Sequence, residues 1–95
     1  MLAIRFTPEA ESTYLALIVQ LQSRWGDKIV AKMESKVEKA LRQISLSPYM
    51  YPVVNEKYEL RKCVLHKNCS LFYKVFNEYI LVTWFWDNRQ NPLFE

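Results

Sequence analysis

The sequence has little of three residue types on which many functional sites depend. It contains one glycine, one histidine and two cysteines in 95 residues. Because loops that cradle phosphates are built from several glycines, nucleotide binding of that kind is excluded. The longest largely apolar run, Tyr79 to Trp86, is far shorter than the roughly 20 residues that span a bilayer. No signal peptide is predicted, since the N-terminus turns polar at Arg5, and the expected location is the cytoplasm.

The rest of the composition is typical of one globular domain. Apolar residues make up 51% of the chain, including three Trp, six Tyr and five Phe, which is enough for a single core over residues 1–95. The net charge is +3, and the excess is concentrated in residues 57–74, where Glu59 is the single acidic residue. The basic residues of that stretch are Lys57, Arg61, Lys62, Lys67 and Lys74. Such a patch favours a polyanion or an acidic protein surface as the partner.

The first half of the chain predicts a short strand followed by two helices. Residues 2–6 have the character of a strand, and Thr7 with Pro8 has the pattern of a helix start. Gly26 lies where a left-handed residue would end this helix, and Asp27 is expected to cap the next one. The apolar face of the first helix comprises Tyr14, Leu17, Ile18, Leu21 and Trp25. Two helices joined by so short a turn are expected to pack as an antiparallel hairpin.

The second helix is predicted to run from about Lys28 to Ile44 and to stop before Pro48. Its apolar face comprises Val30, Met33, Val37, Ala40, Leu41 and Ile44. The lysines at 28, 32, 36 and 39 fall on the opposite side. We interpret this lysine-rich side as a solvated face, with a binding surface for acidic partners as the alternative. An ordered, extended connection is expected over residues 49–52.

The second half predicts three consecutive strands joined by tight turns, at residues 58–65, 69–76 and 79–86. Arg61 and Lys62 are adjacent, so one of them must point to each face of the sheet. The last strand is apolar on both faces, which favours an interior position or cover by a partner. The element order β-α-α-β-β-β predicts an α+β fold, with the helices on one face of a mostly antiparallel four-stranded sheet.

Cys63, His66 and Cys69 have a spacing that invites a metal-site interpretation. Structural zinc sites use four ligands, and the chain offers no further cysteine or histidine, so no metal and no cofactor is predicted. A Cys–His nucleophile would need an orienting third group, for which the sequence gives no evidence. A Cys63–Cys69 disulfide is not expected in a reducing cytoplasm. We interpret the cysteines as small strand residues that flank a turn histidine.

Two functional interpretations of the basic residues stay open. Metal-free RNA cleavage needs an acid, a base and phosphate-binding cations, and the candidate catalytic set is His66, Arg61, Lys67 and Arg89. The candidate set for contact with a target or nucleic acid is Arg61, Lys62, Lys67, Lys74, Asn88 and Arg89. The structural alternatives are a solvated turn histidine at position 66, an Arg61–Asp87 ion pair across the sheet, and a strand that ends through the polar residues 87–89.

The order of these features resembles the RelE/ParE toxins over essentially the whole chain. The residues that carry the resemblance are Arg61-Lys62, His66-Lys67-Asn68, the strand Ser70–Val75 and the segment Trp86–Pro92. The resemblance implies the toxin of a bacterial type II toxin–antitoxin pair, which is neutralised by a cognate antitoxin. The partners that the resemblance implies are the antitoxin and, as target, either DNA gyrase or ribosome-bound mRNA, with no membrane. A higher toxin–antitoxin oligomer is left open.

The resemblance also separates two branches of the family. RelE-like members cleave mRNA in the ribosome, whereas ParE-like members inhibit DNA gyrase without ribonuclease residues. Arg89 matches the arginine after the last strand, and Arg61 lies near the basic positions of the first hairpin. Ser70 stands where RelE-like nucleases tend to have arginine, and the nearest aromatic residue after Arg89 is Phe94 rather than a tyrosine. These departures favour the ParE-like branch, with a nuclease that uses His66 and a non-toxic antitoxin-binding protein as the alternatives.

Overall fold

Two helices pack on one face of a five-stranded mixed sheet in the computed structural model, which describes residues 1–67 and 69–87. The elements are β1 (Ala3–Phe6), α1 (Pro8–Trp25), α2 (Asp27–Leu46), β2 (Val53–Asn55), β3 (Leu60–His66), β4 (Cys69–Val75) and β5 (Tyr79–Asp87). The strands lie in the order β1-β5-β4-β3-β2, with β1 parallel to β5 and the other neighbours antiparallel. The α+β prediction is confirmed, with one more strand than predicted.

The additional strand, β2, lies at the edge of the sheet and pairs with β3 through an irregular register. It has three residues, which is too short to show a two-residue alternation in the sequence. A turn between β2 and β3 explains why β3 begins at Leu60 rather than at residue 58. Glu59 has a φ of 52°, and the backbone N–H of Tyr58 donates to Asn55 Oδ1 at 3.0 Å, so residues 56–59 form a turn.

The helical hairpin begins and turns as its local sequence predicts. Thr7 Oγ1 accepts from the backbone N–H of Ala10 at 2.9 Å, and Pro8 is the first helical residue. Gly26 has a φ of 83°, a conformation that favours glycine, and its N–H donates to Gln22 O at 3.1 Å. The prediction that Asp27 caps α2 was wrong. Asp27 is the first residue of that helix, and Oδ1 of its carboxylate accepts from Gln22 Nε2 at 2.6 Å.

The core lies between the helical hairpin and the sheet. α2 contributes the predicted stripe, with Met33, Val37, Ala40 and Ile44 buried. The sheet contributes Cys63, Cys69, Leu71, Tyr73, Ile80, Val82 and Phe85. Beside the core, the backbone N–H of Leu2 donates to Ser45 O at 3.2 Å, which ties the start of the chain to the end of α2. Within the described residues, no helix is long and apolar enough to cross a membrane.

A register shift in β5 places aromatic side chains on the face of the sheet away from the helices. Tyr73 pairs with Val82, whereas Phe72 pairs with Trp84, so Thr83 is the extra residue. The Thr83 hydroxyl donates to Phe72 O at 3.0 Å, and the rings of Phe72 and Trp84 lie 5.7 Å apart. The prediction of an interior last strand is confirmed, because β5 has β1 on one side and β4 on the other.

Candidate functional site: a cationic groove at one end of the sheet

The structure divides the predicted basic cluster between the two ends of β3. Arg61 pairs with Tyr73 and His66 pairs with Cys69, so the two residues are five positions apart on one strand. At about 3.3 Å per residue this separation is about 16 Å. Arg61 and His66 therefore do not converge on one phosphate. Two members of the predicted set, Asn88 and Arg89, lie outside the described residues.

Arg61 binds the connection between α2 and β2. Its Nη1 donates to Tyr49 O at 3.2 Å and to Tyr51 O at 2.6 Å, and its guanidinium lies 5.0 Å from the centre of the Tyr49 ring. The Tyr73 hydroxyl donates to Pro48 O at 2.7 Å in the same region. The anticipated ion pair to Asp87 is not formed, because Asp87 pairs with Cys69 at the other end of the sheet. Arg61 thus holds residues 49–51 in place through their carbonyl groups.

Lys62 and Lys74 lie on the face of the sheet away from the helices. Lys62 pairs with Phe72, and both lysines are half-buried. Lys74 also borders a cavity of about 290 Å³ together with Glu56 and Glu59 of the β2–β3 turn. The two carboxylates lower the positive potential near Lys74, so Lys74 contributes less than Lys62 to the cationic character of this face.

His66 and Lys67 join a groove that the sequence did not reveal. The groove has a volume of about 560 Å³ and lies where the end of α1, the start of α2 and the ends of β3, β4 and β5 meet. Its charged or polar lining is Gln20, Arg24, Lys32, Lys36, His66, Lys67 and Asp87, and its apolar lining is Leu17, Leu21, Trp25, Ile29, Met33 and Cys69. Two of the α2 lysines that we interpreted as solvated, Lys32 and Lys36, therefore border a concave surface.

The groove combines an aliphatic floor with a cationic rim. The charged lining includes one carboxylate, that of Asp87, and the cations Arg24, Lys32, Lys36 and Lys67. A sequence signal for this arrangement existed in α2, where Lys32 and Lys36 flank the buried Met33 at the border of the apolar stripe. The groove residues from the sheet are distant from α2 in the sequence, and only folding brings them next to these lysines. The arrangement is suited to binding an amphipathic, negatively charged partner.

The cysteines near the groove are not activated for chemistry. Burial, together with the charge of Asp87, raises the pKa of the Cys69 thiol to about 12, and burial also raises the pKa of Cys63. Both are free thiols, so the pair forms no disulfide. A thiol with a raised pKa is a poor nucleophile at neutral pH. Within residues 1–67 and 69–87, no three His, Cys, Asp or Glu side chains cluster closely enough to hold a metal ion.

The raised pKa values of Cys69 and Tyr51 predict a loss of stability at alkaline pH. Burial raises the pKa of Cys69 from an ordinary value of 9.0, and that of Tyr51 from 10.0, in each case to about 12. Because the fold favours the protonated forms, their stabilisation is complete below pH 9 and is lost as the pH rises toward 12. We expect the free energy of unfolding in urea to be lower at pH 10.5 than at pH 8. A Cys69→Ala variant should show a shallower decline, and an equally steep decline would contradict the assignment to this thiol.

The comparison with known families decides the class of this protein. The family model described as ParE toxin of type II toxin–antitoxin system, parDE, matches residues 4–92. The chain belongs to the ParE toxin family. This confirms the resemblance predicted from the sequence, and the match continues beyond the described residues of this ParE-family chain into the segment after β5.

Solved structures share the fold of this ParE-family chain. The chromosomal ParDE system from P. aeruginosa matches with a TM-score of 0.76 and 13% identity, covering 92% of this chain and 96% of that one. A copper-bound mutant toxin from Helicobacter pylori matches with a TM-score of 0.70 and 12% identity, covering 97% and 100%. The YoeB–YefM complex from Staphylococcus aureus matches with a TM-score of 0.60 and 16% identity, covering 90% and 95%. No curated protein sequence matches the chain. At these identities the structural matches establish the fold of the ParE-family chain.

Proposed function

We propose that this ParE-family toxin inhibits DNA gyrase by binding to it, without cleaving nucleic acid, and is neutralised by a cognate antitoxin. Membership of the ParE family supports a toxin of a type II toxin–antitoxin system. The separation of Arg61 from His66 is the observation that favours binding over cleavage. A ribonuclease must place an acid, a base and cations around one phosphate. In this chain Arg61 lies about 16 Å from His66 along β3, and the Arg61 guanidinium already binds two carbonyl groups.

Antitoxin binding is supported by the solved relatives that carry a partner. The names of several structural neighbours describe complexes, among them YoeB–YefM and DinJ–YafQ. We propose Lys62 and Lys74, which lie on the face of the sheet away from the helices, as contacts to the target. We propose Asn88 and Arg89, which follow β5 in the sequence, as further contacts to the target.

A supercoiling assay tests this function directly. Purified toxin should block the supercoiling of relaxed plasmid by gyrase, and antitoxin from the adjacent reading frame should restore it. His66→Ala and Lys67→Ala should inhibit gyrase like the unchanged chain, because neither residue is among the contacts to the target proposed above. Active gyrase at saturating toxin, or growth that continues on induced expression, would contradict the proposal and favour the non-toxic antitoxin-binding alternative.

A ribosome-dependent nuclease is the second candidate, and one observation favours it. His66 and Lys67 lie together at a groove that also carries Lys32 and Lys36, so a histidine does face a cationic cavity. Mapping the 5′ ends of messages after induction tests this candidate. Cut messages that disappear in His66→Ala would support the nuclease, whereas intact messages with arrested supercoiling support the gyrase proposal.

A further inference from the structure

We propose that this chain forms a reversible antiparallel dimer through the outer face of α1, with a second copy of the chain as the partner. The contact surface, which we call the α1 seam, is a stripe of exposed residues at the spacing of two heptads. Its members are Ser12, Leu15, Ala16, Val19, Gln22 and Ser23. The dimer goes beyond the proposed function, because it joins two toxin chains rather than a toxin and its target.

The α1 seam faces away from the core of the protein. On the other side of α1, Thr13 Oγ1 accepts from the backbone N–H of Phe85 at 2.9 Å, and the rings of Tyr14 and Phe85 lie 4.9 Å apart, so that side packs on β5. Leu15 and Val19 are one helical turn apart on the outer side, with 64% and 59% of their surfaces exposed. Their neighbouring side chains form an apolar surface that a second helix can bury.

The α1 seam carries no charge. From Ser12 to Ser23 the sequence has no Asp, Glu, Lys or Arg, although 24% of the whole chain is charged. Solvated helix faces usually carry charged residues, whereas the centres of protein interfaces are depleted of them. Each copy has a net charge of +3, so two copies approach with least repulsion through a surface that has no cations. A second copy of the chain is therefore a partner that the α1 seam fits.

The charges at the two ends of α1 determine the orientation of the pair. Glu9 and Glu11 lie in the first turn, and Arg24 lies in the last turn. Just beyond this end, the charge of Lys28 offsets that of Asp27. An antiparallel pair places the acidic start of each α1 beside the basic end of the other, and it also opposes the two helix dipoles. A parallel pair would bring the two acidic starts together.

The apolar residues of the α1 seam are self-complementary in this orientation. A two-fold axis midway between positions 15 and 19 places Leu15 of each copy beside Val19 of the other. Ala16 is small, which allows the two helix axes to approach closely. A helix of 18 residues is about 27 Å long and about 10 Å wide. This face is smaller than the roughly 800 Å² that each partner buries in a standard interface, so the dimer is weak and reversible.

The dimer would leave the outer face of both sheets accessible. The α1 seam and the sheet lie on opposite sides of α1, and Lys62 and Lys74 lie on the face of the sheet away from the helices. Two copies joined through α1 therefore present these lysines on opposite sides of the assembly. Such a toxin is bivalent, and a target with two sites would bind it more tightly than it binds one chain.

Sedimentation velocity over a range of protein concentrations tests the dimer. The mean mass of the unchanged chain should rise up to twofold with concentration, toward that of two chains. Leu15→Lys/Val19→Lys should stay at the mass of one chain, because four added cations would meet at the centre of the contact. The control Ala31→Lys/Ser35→Lys makes the same charge change with the same spacing at exposed positions of α2, and it should dimerise like the unchanged chain. A constant mass for the unchanged chain, or an equal rise in Leu15→Lys/Val19→Lys, would overturn the proposal.

Disulfide cross-linking tests the orientation without placing a charge in the contact. Ser12→Cys and Ser23→Cys chains should form a cross-linked dimer when they are mixed and oxidised in air, because the antiparallel pair brings these two positions together. Neither variant should cross-link alone, and the unchanged chain is the control, since Cys63 and Cys69 are buried. Cross-linking of each variant alone would indicate a parallel pair, and no cross-linking in the mixture would contradict the dimer.

Two further outcomes would assign the α1 seam to another partner and overturn the dimer. The first is binding to phosphatidylcholine vesicles that Leu15→Lys/Val19→Lys abolishes, while the mass of the unchanged chain stays constant. The second is a failure of antitoxin to relieve gyrase inhibition by that variant, again at constant mass. Sedimentation and cross-linking need no gyrase, so failure of the proposed function would leave the dimer intact, and failure of the dimer would leave gyrase inhibition intact.

Discussion

Replacing Leu71 by alanine is expected to lower the free energy of unfolding by about 2 to 5 kcal/mol. Leu71 lies in β4, the central strand, between Cys63 of β3 and Phe85 of β5, and it is fully buried against the helices. Truncation removes apolar contacts and leaves a cavity that the surrounding strands fill only in part. Since a domain of this size is stabilised by roughly 5 to 15 kcal/mol in total, the variant should approach the threshold of folding.

Urea denaturation followed by tryptophan fluorescence measures this loss. Leu15→Ala provides the matched control, because Leu15 is the same residue type with 64% of its surface exposed on α1. The control should stay within about 0.5 kcal/mol of the unchanged chain. If the two variants lost the same stability, the position of Leu71 in the core would be contradicted.

The second large effect is expected for Arg61→Ala, at about 1.5 to 3 kcal/mol of stability. The substitution removes charge-assisted hydrogen bonds to Tyr49 O and Tyr51 O and the stacking on the Tyr49 ring. Residues 49–51 should then open to proteases, which limited proteolysis would detect at this connection. Arg61→Lys should recover part of the stability, because an ammonium group can replace one of the two hydrogen bonds but not the planar stacking.

This variant also separates a structural arginine from a catalytic one. His66 is exposed, so His66→Ala should leave the unfolding free energy within about 0.5 kcal/mol. A catalytic pair would instead lose activity in both variants while both remained folded. Full stability of Arg61→Ala together with lost growth inhibition would show that the guanidinium acts on the target.

The helical half of the fold could be predicted because its signals are local. Thr7, Pro8 and Gly26 each act on the backbone within one helical turn, and the period of α2 follows from residues three and four positions apart. The wrong prediction that Asp27 caps α2 also concerned a local signal. The connection is one residue shorter than a separate cap requires, so Gly26 ends α1 and precedes α2 at once.

The site could not be predicted because its parts are distant in sequence. Grouping the basic residues of 57–74 by proximity along the chain failed, since an extended strand carries Arg61 and His66 apart by about 3.3 Å per residue. Lys32 and Lys36 line the same groove as Lys67, which lies in the β3–β4 connection. The role of Arg61 depends on carbonyl groups ten and twelve residues earlier, which carry no side-chain signal.

The parallel pairing of β1 with β5 has a consequence for the timing of folding during translation. Ala3–Phe6 is made before the other described elements, and its neighbour Tyr79–Asp87 is made after them. A contact between segments so far apart carries a high loop-closure cost, and it cannot form before the later segment has left the ribosome. The sheet of the nascent chain therefore stays incomplete until β5 has been made, so a partner that needs the complete sheet can bind only after that point.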